Sequence, residues 1–181
     1  MAKKKKSDDV IINRGNYRFR LDDQGHVVDE IPCIGRYRIQ IVEQGHIKGD
    51  SGWKLNTIVN GGFQSFLQFA MIGSAGSKTV THAAIGTGTV PGATDTTLNG
   101  ELVDAAGCRC AITTGTTGSK TVTFTFTLAS NVITAAKTIQ NVGLFNGSTT
   151  NVGSMFAGNT YTTSALATNQ AVNGTYQISF A

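Results

Sequence analysis

Residue types that could do chemistry are few in this sequence of 181 residues. Its three histidines are His26, His46 and His82, and none stands near a serine and an aspartate in the pattern of a catalytic triad. Cys108 and Cys110 lie two positions apart on a predicted strand and would share one face, but a zinc site needs two further ligands. No CxxC or HxxxH motif supplies them. We therefore expect no catalytic residue, no metal site and no cofactor.

A glycine-rich segment at residues 85–92 (IGTGTVPG) invites comparison with phosphate-binding loops. A GxGxxG loop needs a helix after it, and a P-loop needs Gly-Lys-Ser/Thr, and the residues after Gly88 provide neither. The carboxylates beyond residue 55 are only Asp95, Glu101 and Asp104, which is a poor basis for glycoside cleavage. We expect the side chain of Asp95 to cap a turn. These observations predict that the protein is not an enzyme.

Charge is concentrated near the N-terminus. Residues 1–55 hold eleven of the fifteen Lys and Arg residues and eight of the eleven Asp and Glu residues, although the net charge is only +4. The remainder is nearly neutral and rich in Thr, Gly, Ser and Asn, residues that favour strands and turns. We predict two parts, a charged N-terminal arm at 1–55 and a Thr/Gly-rich β body at 56–181.

Three features of the sequence bear on the cellular compartment of the protein. No segment has the roughly 18–20 consecutive apolar residues that a membrane-spanning helix needs. Residues 1–6 are basic, but no apolar region of a secretory signal follows them. The three cysteines, with Cys33 as the third, are an odd and irregularly spaced set rather than a disulfide framework. We expect synthesis in a reducing cytoplasm and no membrane partner.

The arm contains an internal repeat. Residues 17–27 are YRFRLDDQGHV and residues 37–47 are YRIQIVEQGHI, with Tyr, Arg, Gln, Gly and His identical at an offset of twenty. Alternating residues before a Gln-Gly turn predict a β-hairpin for each copy, as two successive hairpins or a small four-stranded sheet. One face of each first strand would be lined by Tyr17, Phe19 and Leu21, and by Tyr37, Ile39 and Ile41.

The body begins with its one predicted helix, at about 61–72. Five apolar residues there have helical spacing and are expected to face the core, and Asn60 is the expected N-cap. They are Phe63, Phe66, Leu67, Ala70 and Met71. Short strands with turns between them follow, of which residues 121–128 (TVTFTFTL) alternate most regularly. The predicted fold is mainly β, an antiparallel β-sandwich or barrel-like body with one short helix, preceded by the β-hairpin arm.

Two motifs of the body resemble a known group of proteins. They are IGTGTVPGATDTTL at residues 85–98 and GLFN at residues 143–146, separated by a Thr-rich strand. Over roughly residues 58–181 the chain is similar to tailed-bacteriophage virion proteins described as tail-fibre or collar-fibre modules. That group carries a helix, an IGTGT-x-P-x-x-TDT-x-L loop, a Thr-rich strand and an E-x-GLFN turn. Gln140 and Asn141 stand where such proteins often have an acidic residue.

The resemblance implies a structural component of the virion, made in the cytoplasm of the bacterial host and attached at tail, neck or collar through its N-terminal region. Its partners would be other virion proteins and further copies of the same chain. The docking residues expected from the arm are Lys3, Lys4, Lys5, Lys6, Tyr17, Arg18, Arg20, Tyr37 and Arg38. Contact with nucleic acid is expected only through the lysine run, because lysines neutralise phosphates without recognising sequence.

Two alternatives remain at this stage. The protein could be a capsid decoration (cement) protein, in which the same arm would clamp shell subunits. It could also be a carbohydrate-binding receptor module of a fibre, which would need exposed aromatic side chains around a pocket.

Overall fold

The computed structural model describes residues 33–76, 78–105, 107–116 and 120–180, together with the backbone of three short N-terminal strands. Those strands are β1 (Ile11–Arg14), β2 (Tyr17–Leu21) and β3 (Val27–Val28). The others are β4 (Cys33–Glu43), β5 (His46–Asp50), β6 (Lys54–Ile58), β7 (His82–Gly86), β8 (Arg109–Thr116), β9 (Thr121–Leu128), β10 (Lys137–Phe145), β11 (Met155–Leu166) and β12 (Ala171–Phe180). A π-helix (Gly62–Gln68) and a short α-helix, α1 (Phe69–Met71), lie between β6 and β7.

Eight strands form a closed antiparallel barrel. Their order is β12-β9-β8-β7-β10-β11-β6-β4, and the pairing of β12 with β4 closes the ring. β5 is an additional strand that pairs with β4 beside β6. The prediction of a mainly-β, barrel-like body with one short helix is therefore confirmed, and the barrel replaces the sandwich.

The barrel wall follows the period of two that the sequence shows. In β9, Phe124, Phe126 and Leu128 are buried while Thr125 and Thr127 are exposed. β12 alternates in the same way, with Tyr176 opposite Phe124 in the register. Burying a large apolar side chain contributes about 1.5–3 kcal/mol. The inward residues therefore provide the main stabilisation, and the threonines give the outer face its polar character.

The repeat forms hairpins, as predicted. In the second copy β4 and β5 pair across Gln44 and Gly45, whose φ angles of 48° and 80° match a tight two-residue hairpin turn. In the first copy β2 pairs with β3 antiparallel, within a separate three-stranded sheet of β1, β2 and β3. The two copies belong to different sheets rather than to one four-stranded sheet.

The barrel begins earlier than the predicted boundary between residues 55 and 56. β4 pairs with β12 at ten consecutive positions, from Cys33 opposite Phe180 to Val42 opposite Ala171. Its inward residues, such as Ile39, are buried while its charged residues face outward. The charge of residues 33–55 therefore belongs to the outer face of the barrel, and the structure moves the boundary to the start of β4.

The helix differs from its predicted pattern. Phe66 is buried and its ring lies 5.2 Å from that of Phe156, and Leu67 is half-buried. Phe63, Ala70 and Met71 are exposed, the last to 85%. A π-helix bonds residue i to residue i+5, so its turns are wider and apolar residues spaced three and four apart do not form one stripe. The expectation that all five residues face the core is wrong for these three.

The entry into the helix is set by close backbone contact instead of a side-chain cap. No side chain caps the π-helix, and the N–H of Asn60 donates to the carbonyl of Ala93 at 2.7 Å. A Cβ atom on Gly62 would collide with the carbonyl oxygen of Phe156. Glycine at this position therefore lets the helix lie directly against β11, and the predicted N-cap role of Asn60 is wrong.

Candidate interaction surface

Three of the side chains considered for chemistry, those of Cys108, Cys110 and His82, are buried or half-buried. Cys108 and Cys110 lie in the core, and burial raises the pKa of the Cys110 thiol to about 12, which keeps it protonated and unreactive. The ring of His82 is half-buried, and burial, followed by the nearby charge of Arg109, lowers its pKa. Within the described ranges, no three His, Cys, Asp or Glu side chains come together as metal ligands.

The predicted role of Asp95 is confirmed. Its Oδ2 atom accepts a hydrogen bond of 2.8 Å from the N–H of Gly92, and its own N–H donates to the Gly92 carbonyl at 3.1 Å. The carboxylate therefore closes a turn in the segment between β7 and Glu101, which forms an isolated antiparallel bridge with Gly86. This contact explains the aspartate of the TDT motif by local structure.

Asn141 holds the glycine-rich loop to the barrel. Its Nδ2 atom donates to the carbonyl of Thr89 at 3.1 Å and to the carbonyl of Asn99 at 2.9 Å. The neighbouring Gln140 donates to the carbonyl of Thr87 at 2.9 Å. An amide nitrogen has two donors, whereas a carboxylate has none. The loop carbonyls of this chain are thus matched to the amides of Gln140 and Asn141.

The loop covers a second, smaller core outside the barrel wall. This core is formed by Val59, Ala84, Leu98, Phe145 and Met155. Because neighbouring residues of a strand face opposite sides, Ala84 faces this core while Ile85 faces the barrel interior. Motif residues such as Leu98 and Phe145 therefore have packing roles in this fold.

A buried ion pair links this region to the turn after β10. Arg109 and Glu101 form a two-fold contact, with Nη2 2.9 Å from Oε2, and their side chains are 1% and 0% exposed. Arg109 also donates to the carbonyl of Gly147 at 2.9 Å, and its guanidinium lies 3.7 Å above the ring of Phe145. The N–H of Asn151 donates to Glu101 at 3.2 Å. The pair fixes the loop, β8 and the β10–β11 turn together.

An apolar and positively charged surface lies on the outer face of β4 and β6. We call this set the apolar–basic surface: Ile34, Arg36, Trp53 and Leu55. Its apolar side chains are well exposed: Ile34 to 47%, Trp53 to 44% and Leu55 to 73%. Arg36 is the register partner of Leu55, and its guanidinium lies 5.1 Å from the centre of the Trp53 ring. Arginine and tryptophan are the residues that most often dominate the energy of protein interfaces.

No carboxylate among the described residues compensates the charge of this surface. Among the described residues no carboxylate pairs with Arg36, which donates only to the neutral Gln177, at 2.8 Å. Arg38, two residues further along the strand, is instead paired with Asp50. The hydrogen bond from Arg38 lowers the pKa of the Asp50 carboxyl well below its usual range. The free charge therefore fits a partner that brings a carboxylate beside apolar side chains.

The predicted docking residues have different positions. Lys3, Lys4, Lys5 and Lys6 lie outside the described residues, as do the side chains of Tyr17, Arg18 and Arg20 in β2. Tyr37 is fully buried, so its side chain belongs to the core and is unavailable for docking. Arg38 is 40% exposed but is engaged by Asp50. Arg36, Trp53 and Leu55 were missed because composition alone does not indicate which face of a strand is covered.

A polar groove of about 660 Å³ lies across strands β4, β8, β9 and β12. It is lined mainly by hydroxyl and amide side chains, namely Gln40, Thr113, Thr125, Thr127, Asn173 and Thr175. Its aromatic lining residue, Phe126, is only 5% exposed and offers little area for stacking on a sugar ring. The carbohydrate-binding alternative gains no support from this groove.

Within the described part of the chain, no helix is long and apolar enough to cross a membrane. Comparison with protein-family models, with curated proteins and with solved structures gives no match for this chain.

Proposed function

We propose that this chain is a non-enzymatic structural component of a tailed-phage particle, attached at tail, neck or collar through its N-terminal region. The resemblance of residues 85–98 and 143–146 to phage fibre modules supports the virion context. The observation that carries the assembly role is the apolar–basic surface, with Leu55 73% exposed beside Arg36, which has no carboxylate partner among the described residues. Side chains of this kind are stabilised when a partner covers them.

The position of this surface agrees with attachment near the N-terminus. Ile34 is the second residue of β4, so the surface starts where the N-terminal region joins the barrel. We assign its occupant as a neighbouring virion subunit that presents apolar side chains and a carboxylate. A decoration protein of the capsid would use the same surface against shell subunits and differs from the main proposal only in location.

A charge-reversed double variant tests this role. Arg36→Glu combined with Leu55→Ser replaces attraction by repulsion and removes the most exposed apolar side chain of the surface, and interface anchors each contribute about 2 kcal/mol or more. We expect incorporation of the full-length variant into particles to fall by at least about thirtyfold, measured by quantitative immunoblot of purified virions. Both residues are exposed, so thermal unfolding of the free protein should remain close to that of the wild type.

Val152→Ser serves as the matched control. Val152 is 58% exposed on the turn between β10 and β11, away in sequence from the apolar–basic surface. It should leave incorporation unchanged. Equal incorporation of the double variant and the control would show that the apolar–basic surface is not the attachment site.

A further inference from the structure

The interior of the barrel contains polar atoms for which the part of the chain that the structure describes supplies no partner. Among the described residues, no group pairs with the Oδ1 and Nδ2 atoms of Asn56 or with the hydroxyl groups of Tyr161 and Tyr176, all of which are buried. Buried polar atoms are hydrogen-bonded in the large majority of cases. Leaving one unpaired costs about 1–3 kcal/mol, so four such atoms in one core would be a heavy penalty.

The three side chains lie near Gly35 and Tyr37 of β4. The ring of Tyr37 lies 6.0 Å from that of Tyr176 and 6.5 Å from that of Tyr161. Asn56 is the register partner of Gly35, and a Cβ atom added to Gly35 would lie 2.7 Å from the Asn56 Nδ2 atom. Gly35 and Tyr37 are two positions apart on β4 and so face the same side of the strand. The unpaired atoms therefore belong to side chains on the same inward side of β4, and we call Asn56, Tyr161 and Tyr176 together the polar layer.

This layer lies at the seam between β6 and β11, which has the fewest register pairs of any strand pair in the barrel. β6 joins β11 through two register pairs and β4 through three, whereas β4 and β12 share ten. Asn56 is on β6, Tyr161 on β11 and Tyr176 on β12, so the layer spans both sides of the seam. Backbone hydrogen bonds alone give the seam little support.

We propose that one or more ordered water molecules bind in this layer and bridge Asn56 to Tyr161 and Tyr176, joining β6 to β11 and β12. The chemistry of the lining fits water, because the amide offers donors and an acceptor and each phenol can donate and accept. A buried water typically makes about three hydrogen bonds of this kind. Burial also raises the pKa of Tyr161 and of Tyr176, so both hydroxyl groups keep the proton that they would donate.

The sign of a stability change tests the proposal. If a water bridges the Tyr176 hydroxyl, Tyr176→Phe removes a hydrogen bond and leaves the water short of a partner, and the unfolding equilibrium constant should rise about tenfold. If the hydroxyl is unpaired, the same change removes a buried unpaired group and should be neutral or stabilising. Tyr161→Phe should behave in the same way, and chemical denaturation of the full chain measures both.

Tyr37→Phe is the reference, because the Tyr37 hydroxyl has a protein acceptor, the carbonyl of Thr160. A loss of stability for Tyr176→Phe comparable to that reference supports the bridging water. A high-resolution crystal structure should then show water within hydrogen-bond distance of Asn56 and at least one phenol. Phenylalanine variants that are as stable as the wild type or more stable, or density for a larger molecule in the layer, would overturn it.

Discussion

Replacing Arg109 by methionine is expected to destabilise the barrel by about 3–5 kcal/mol. The change would leave the carboxylate of Glu101 fully buried without its counter-charge, with the N–H of Asn151 as its remaining donor among the described residues. It would also remove the hydrogen bond to Gly147 that holds the β10–β11 turn. Urea denaturation followed by tryptophan fluorescence measures the effect.

The double variant Arg109→Met with Glu101→Leu distinguishes the contribution of the charge pair from that of packing and backbone contacts at the same place. Removing both charges together avoids a lone buried ion, so it should recover most of the stability lost in the single variant. A double variant as unstable as Arg109→Met would mean that packing or the backbone contacts, and not the charge pair, stabilise this region.

Asn141→Asp should cost about 3–5 kcal/mol, although it introduces the residue type that the related pattern favours. The new carboxylate would face the carbonyl oxygens of Thr89 and Asn99, to which the amide now donates. Neither bond survives in the ionised form, and a buried charge replaces a neutral group. Thermal unfolding at neutral pH should show a lower midpoint, with loosening of the glycine-rich loop detectable by hydrogen exchange of residues 87–100.

The pH dependence of this variant has a defined sign. Burial and two facing carbonyl oxygens raise the pKa of the introduced carboxyl above the usual value of about 3.9 for aspartate. The folded state then binds the proton more tightly than the unfolded state, so the deficit is smallest below about pH 4 and grows as the pH rises. Gln140→Glu is the control, since that side chain is only half-buried and should lose less. A deficit that is independent of pH would contradict the ionised-carboxylate explanation.

The strand pattern of this chain is predictable because each strand has one solvent-exposed face and one buried face. The alternation at residues 121–128 and the Gln-Gly turn at 44–45 are local signals, and both are present in the structure. Whether the strands close into a sandwich or a barrel depends on the pairing of β4 with β12, which are more than a hundred residues apart. No local signal reports such a pairing.

The surface was harder to predict than the fold. Charge density placed residues 33–55 in an arm, but alternation along β4 puts Tyr37 inside the barrel and Arg36 outside. The apolar stripe of the helix predicted a core-facing helix, but Met71, in α1 after the π-helix, is exposed. In both cases the missing information was the three-dimensional neighbour of the segment, here β12 and β11.

The proposed virion role is tested most directly by quantitative mass spectrometry of tailed-phage particles purified from lysates of cells that produce the chain. The account predicts the protein as a stoichiometric component, at a fixed copy number relative to a tail, neck or collar protein and unchanged through repeated purification. Absence of the protein from particles, or trace amounts that vary between preparations, would contradict it.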